Sequence, residues 1–192
     1  SYSEAEVRQD FIDKFFTALG WDVTHQHQRN PQQQEVKVEK SQKQKDSANK
    51  KRADYAFYLA PDFRTVKFFV EAKKPSRLLR QNQADYFQTA KYGWNANTGI
   101  SVLTDFQELV IIDCRFTPDI DTILSCECQY YSYQQLADIE VFENVYWLLS
   151  REAVEAGNIA TYVENLPLPK GKPRQLSLLG SGYQEIDDSF LN

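Results

Sequence analysis

The feature that most constrains this chain is a short apolar run ending in charge. Phe68-Phe69-Val70 leads directly into Glu71-Ala72-Lys73, and Pro75 follows two residues later. Aromatic and β-branched residues in an unbroken run read as a central strand buried on both faces, here Val66 to Ala72. Pro75 cannot donate to a ladder and stops it. Residues two apart on a strand share a face, so Glu71 and Lys73 emerge together at the strand's C-terminal end. That is where α/β folds place their sites. Upstream, Ala53 to Leu59 reads as another strand and Ala60-Pro61-Asp62 as a turn. If these two strands pair or neighbour each other, Asp54 reaches the same place as Glu71 and Lys73.

The rest of the chain supplies a frame. Residues 3–19 carry Val7, Phe11, Ile12, Phe15, Phe16 and Leu19 at helical spacing, with Ser3 as N-cap and Gly20 as the stop. Val36 and Val38 alternate with charged neighbours and predict a short strand. Leu78 to Tyr92 reads as a helix closed by Gly93. Ile100 to Thr104, Leu109 to Asp113 and Cys126 to Tyr131 read as further strands. Residues 138–149 and 151–156 read as helices, the second closed by Gly157. On a regular strand Cys126 and Cys128 would point the same way. Gln88 and Tyr92, four apart, share one helix face.

The chemistry follows from residue types. Asp54, Glu71 and the Ala72 carbonyl offer oxygen ligands for magnesium, for which manganese can substitute. Lys73 can orient a water and stabilise charge developing on a phosphate. A glutamine such as Gln88, facing that place, can bind phosphate or water without adding charge. Taken alone, Glu71 and Lys73 more often describe a solvated pair at a strand end, and Gln88 reads reasonably as an exposed helix face. The buried run preceding them is what favours a site.

Charge is distributed unevenly. The net charge is −5, yet residues 1–92 hold 17 Lys and Arg against 12 Asp and Glu, and residues 93–192 hold 5 against 15. A basic half can face phosphate while the acidic half faces solvent or other domains. Lys43, Lys45, Lys50, Lys51 and Arg52 are the candidates for phosphate contacts, against the alternative of a solvated loop. Three cysteines make no even disulfide set and point to reduced thiols in a cytoplasmic protein. No apolar run approaches the ~18 residues of a membrane helix. There is no GxxxxGK[ST] phosphate loop, so this stretch contains no motor, and no methylation motif.

RADYAFY, FFVEAKKP and FQTAKYGWNANTGISVLTDF, in that order after SEAEVRQDFIDKFFTALGWD, resemble the N-terminal nuclease domain of type IIG restriction-modification enzymes. They also resemble the related N-terminal domain of type I restriction subunits. The resemblance covers roughly residues 3–113, and less closely the stretch to about 165. It implies a PD-(D/E)xK nuclease with an α/β, restriction-endonuclease-like fold, a mixed central β-sheet flanked by α-helices. It implies Asp54, Glu71 and Lys73 as the catalytic triplet, with Ala53 in place of the usual proline. It further implies Glu4 as a metal-holding acid of the first helix, with Glu6 as the alternative, and Gln88 and Tyr92 as the family's Gln-xxx-Tyr motif, Tyr92 facing DNA. The expected organisation is a nuclease body over residues 1–166 and a linker over 167–192. The expected partners are double-stranded DNA, downstream methyltransferase and target-recognition domains that would use S-adenosylmethionine, and a second copy met transiently on DNA. Two alternatives stay open: the nuclease domain of a type I translocating subunit, and a catalytically silent DNA-binding or docking module.

Overall fold

A computed structural model of the chain describes residues 2–39, 52–75 and 78–168. Helix α1 starts at Glu4–Val7, passes through a π-helical stretch at Arg8–Ile12 and continues over Asp13–Ala18. Its start is a capping box: Ser3 Oγ accepts from the Glu6 N–H, and Glu6 Oε2 accepts from the Ser3 N–H. Strands β1 (Val36–Val38), β2 (Tyr55–Phe57) and β3 (Phe68–Ala72) follow, then helix α2 (Gln83–Ala96). Next come β4 (Ile100–Thr104), β5 (Glu108–Asp113) and β6 (Glu127–Ser132). Helices α3 (Ile139–Leu149), α4 (Arg151–Glu155) and α5 (Asn158–Glu164) complete the body.

The six strands lie in sequence order. Every neighbouring pair is antiparallel except β3 and β4, which run parallel with α2 as their connection. This is the mixed sheet with flanking helices of an α/β, restriction-endonuclease-like fold. One face carries Tyr55, Phe57, Phe68, Val70, Val102 and Ile111 against α1 and the three C-terminal helices. The Phe57 and Phe68 rings stack there at 4.3 Å, and Trp21 Nε1 donates to the Leu149 carbonyl. Burying each such ring contributes about 2 kcal/mol relative to leaving it in water. The other face carries Leu103, Val110 and Ile112 against Tyr86 and Ala90 of α2.

Four expectations are corrected. Gly93 does not close the helix after Lys73; α2 runs on to Ala96 and ends at Asn97, whose φ of 55° is left-handed. Glycine is required at 93 because a Cβ there would come within 2.5 Å of Cys114 Sγ and Ser101 Oγ, so it lets α2 approach the sheet. The helix also begins at Gln83, because Leu79–Gln81 forms a separate 3-10 turn and Asn82 caps α2 through its side chain. Cys126 and Cys128 point to opposite faces, since Cys126 ends a 3-10 turn rather than lying on β6. Helix α1 buries Val7, Ile12, Phe16 and Leu19 most deeply, whereas Phe11 and Phe15 sit at the flank, because the π-helical stretch rotates the later residues relative to the first turn. Helix α5 follows Gly157 (φ 85°) and was not apparent in the sequence pattern. Among the described residues, no helix is long and apolar enough to cross a membrane.

Candidate active site

The antiparallel pairing of β2 with β3 sets Tyr55 opposite Val70, so the residue before β2 meets the end of β3. Asp54 Oδ2 accepts the backbone N–H of Ala72 at 2.8 Å. Its Oδ1 accepts from Arg8 Nη1 at 2.8 Å, and Arg8 Nη2 donates to the Glu39 carbonyl. Arg8 opens the π-helical stretch of α1 and also lies over the Tyr55 ring. A widened turn of this kind is a common device for aiming a side chain into a site.

Glu71 and Lys73 lie on the same face. Lys73 Nζ donates to Glu71 Oε1 at 2.7 Å and stands 3.7 Å from Asp85 Oδ1 of α2. Gln88, one turn further along α2, donates through Nε2 to the same Glu71 Oε1 at 2.9 Å and to the Tyr92 hydroxyl at 2.8 Å. Glu71 is only 4% exposed. Its other oxygen, Oε2, is buried with no hydrogen-bond partner. Two donors therefore converge on one oxygen and leave the second bare.

The electrostatics reflect that imbalance. Burial pushes the Glu71 carboxyl up to about 7, and the nearby Asp54 charge adds to the effect; Lys73 opposes it. For Lys73, burial disfavours the ammonium. The hydrogen bond and charge of Glu71, followed by Asp85, outweigh that and hold the ammonium above its usual range. Burial and the Glu71 charge push the Tyr92 hydroxyl to about 12. The charge of Glu4 acts on both Glu71 and Lys73, whereas Glu6 is engaged in the capping box. Of the two first-helix acids, Glu4 is the one whose charge acts on the Glu71–Lys73 pair.

Hydrogen bonds therefore draw Asp54 to Ala72, and Lys73, Gln88 and, through Gln88, Tyr92 to Glu71, while Glu4 acts on the Glu71–Lys73 pair through its charge. Arg52 is described and exposed; Lys43, Lys45, Lys50 and Lys51 lie outside the described residues. Sequence reasoning missed Arg8 and Asp85. Arg8 lies four residues after Glu4, and Asp85 three before Gln88, so helical spacing already put both within reach of the site.

The donor set suits a hard divalent cation. Among the described residues, no group of three or more His, Cys, Asp or Glu is arranged to hold a metal. Magnesium asks for less than a full cage: one or two carboxylates, with carbonyls, phosphates and waters completing the octahedron. The buried, unpartnered Glu71 Oε2 is the kind of oxygen such an ion or its water would satisfy.

Comparison with known proteins gives a consistent likeness. The chain is 35% identical over 158 residues to the Escherichia coli protein named Type II restriction enzyme and methyltransferase RM.Eco57I. The matched stretch is 82% of this chain and 15% of that protein, so this chain spans only a small part of its relative's length. The likeness supports a domain of a restriction-modification enzyme. No family model matches the chain, and no solved structure matches it.

Proposed function

We propose that this chain is the DNA-cleaving domain of a restriction-modification enzyme, a PD-(D/E)xK nuclease that hydrolyses phosphodiester bonds with magnesium. The observation that carries the reading is the buried Glu71, with one oxygen held by Lys73 and Gln88 and the other bare, next to Asp54. Asp54, Glu71 and the Ala72 carbonyl would hold the ion, with Glu4 through a water. The chemistry magnesium supplies when bound is polarisation of a phosphate oxygen and a lowered pKa of a water it holds.

The protein's own groups do the rest. Arg8 and the Ala72 N–H fix both oxygens of Asp54, so that carboxylate arrives oriented. Gln88, itself braced against Tyr92, holds Glu71 by Oε1 and keeps Oε2 facing away from the helix's donors. Lys73 stays protonated between two carboxylates. As a donor it can align the attacking water and offset charge gathering on the phosphate.

The name of the relative joins restriction to methylation. That favours a type IIG arrangement, with methyltransferase and target-recognition domains using S-adenosylmethionine elsewhere in the full-length protein and residues 1–166 as the nuclease body. Double-stranded DNA is the substrate. One site cuts one strand, so two copies meet on DNA for a double-strand break. A catalytically silent docking module would have no need to keep Asp54, Glu71 and Lys73 converged.

The test is plasmid relaxation with magnesium or manganese, comparing the chain with Lys73→Ala. Metal-dependent nicking that disappears in the variant is expected. Equal nicking by both proteins would reject the site.

A further inference from the structure

A second feature lies beside this site. A cavity of about 420 Å³ is lined by Tyr2, Phe11, Pro75, Asp105, Phe106 and Tyr133. Three of its segments are continuous with the site. Tyr2 precedes Glu4 by two residues and Pro75 follows Lys73 by two. Asp105 follows Thr104, which pairs with Ala72 across the sheet and accepts the Lys73 N–H.

The lining is mostly aromatic. Phe106 stacks on Phe11 at 4.6 Å, and Tyr2 meets Phe11 edge-on at 5.3 Å. Phe106, Tyr2 and Tyr133 are nevertheless exposed, at 36%, 51% and 51%. Phe106 also holds a φ of 74°, a left-handed conformation that bulky residues rarely adopt. A strained backbone that presents a ring to solvent is a common mark of a binding position.

Two polar residues, Asp105 and Gln107, complete the cavity, and Asp105 is the buried one. Asp105 is 1% exposed; its Oδ1 accepts the Glu108 N–H, and its Oδ2 is buried with no hydrogen-bond partner. The ligand that fits is flat and aromatic, able to stack on Phe106 and to offer an N–H to Asp105.

We propose that this cavity receives an unpaired nucleobase next to the phosphate being cut, stacked on Phe106 and donating an exocyclic amino group to Asp105 Oδ2. The proposal rests on the nuclease reading for its substrate, but base binding can be measured without cleavage. Aromatic rings give sequence-tolerant stacking to any base. A carboxylate acceptor adds preference, because cytosine presents an amino donor where thymine presents a carbonyl oxygen. Tyr2, half exposed ahead of the first helical turn, lines the same cavity as Asp105 and offers a second ring to an entering base. Enzymes that take a base out of the stack read it by this combination of stacking and edge contacts.

The experiment uses the whole chain without divalent metal and measures anisotropy of labelled short oligodeoxycytidylate and oligothymidylate. The unmodified chain should bind the cytidine strand about tenfold more tightly. Asp105→Asn places an amide N–H where Oδ2 stands, so the preference should vanish or invert. Phe106→Ala and, separately, Tyr2→Ala should each weaken both strands by about tenfold. Tyr2 is peripheral, so its variant keeps the test sound should Phe106→Ala fail to fold. Equal affinity for the two strands, unchanged in all three variants, would overturn the proposal. If Lys73→Ala abolishes nicking while the pocket variants bind like the parent, the pocket falls and the nuclease reading stands. If no variant or parent nicks DNA but the base preference responds to Asp105→Asn, the pocket stands and the nuclease reading falls.

Discussion

Two buried glutamates set two regions of this molecule against each other. Glu35, on the edge of the sheet, is 1% exposed, and both its oxygens are satisfied. Arg151 donates to each of them, Nε to Oε2 and Nη2 to Oε1, and the Ala60 N–H also reaches Oε1. Burial acts to raise its pKa, but these donors outweigh it and hold the carboxyl below its usual range. Glu71 is nearly as buried, yet it is served on one oxygen only, and its carboxyl is pushed up. The same residue type is thus a completed structural tie in one place and an incomplete arrangement in the other. Incomplete satisfaction of a buried charge is costly to a fold. It occurs where Asp54 and Lys73 also converge, which sets Glu71 apart from a purely structural carboxylate.

The largest expected effect separates the two carboxylates by function. Glu71→Gln keeps the shape but removes the charge and should lower metal-dependent nicking by at least about a hundredfold. Glu35→Gln should leave the nicking rate per folded molecule unchanged. If both variants lose activity alike, the contrast is only one of stability. Stability itself should show the reverse order. Arg151→Ala strands the Glu35 charge and should cost about 2 kcal/mol in a urea melt, less than a fully buried pair because Arg151 is partly exposed. Lys73→Ala should cost less near neutral pH, since Glu71 can take up a proton once its partner is gone.

The pH dependence should divide in the same way. Glu71 binds its proton more tightly in the folded chain, with a pKa near 7 against an ordinary 4.5. Without metal it therefore withdraws stability as pH rises from about 4.5 through about 7. Glu35 has a lowered folded pKa, so its contribution is present above about 4.5 and is lost as pH falls through that lower value. In EDTA, Glu71→Gln should be more stable than the parent at pH 8, by on the order of 2 kcal/mol, and equal to it near pH 4.5. Parallel stability curves for parent and variant would show that Glu71 does not carry the strain assigned to it.

What the sequence made legible, and what it hid, follows from how far each contact reaches along the chain. The triplet was readable because Glu71 and Lys73 share a strand and the strand alternates faces; only the β2–β3 pairing had to be supplied for Asp54 to join. Strand β4 and helix α3 were likewise announced by local pattern. Gly93 misled because glycine marks helix ends locally, whereas its reason here is distant: Cys114 and Ser101 leave no room for a Cβ. Cys126 was misassigned because it ends a 3-10 turn, which is invisible to period-two reasoning, and only Cys128 lies on β6. Arg8 and Asp85 sat at helical spacing from predicted site residues, yet a surface charge reads the same as a site charge until the sheet brings it in. Glu35 shows this from the other side: nothing near it in sequence foretells Arg151.

The smallest effect tests the finer part of the contrast, the neutral support of Glu71 against the cationic support of Glu35. Gln88 uses one amide to reach both Glu71 Oε1 and the Tyr92 hydroxyl. Tyr92→Phe removes that brace while keeping the ring near Phe69, which lies 5.9 Å from it. A single hydrogen bond of this kind is worth about 1 kcal/mol. Nicking should therefore fall by less than about tenfold through kcat, with KM for DNA little changed, because the brace orients Glu71 rather than binding the strand. A loss confined to KM would instead place the Tyr92 hydroxyl on the DNA itself. That outcome would turn Tyr92 from a positioning residue into a substrate contact and leave Gln88 and Lys73 to hold Glu71 without it.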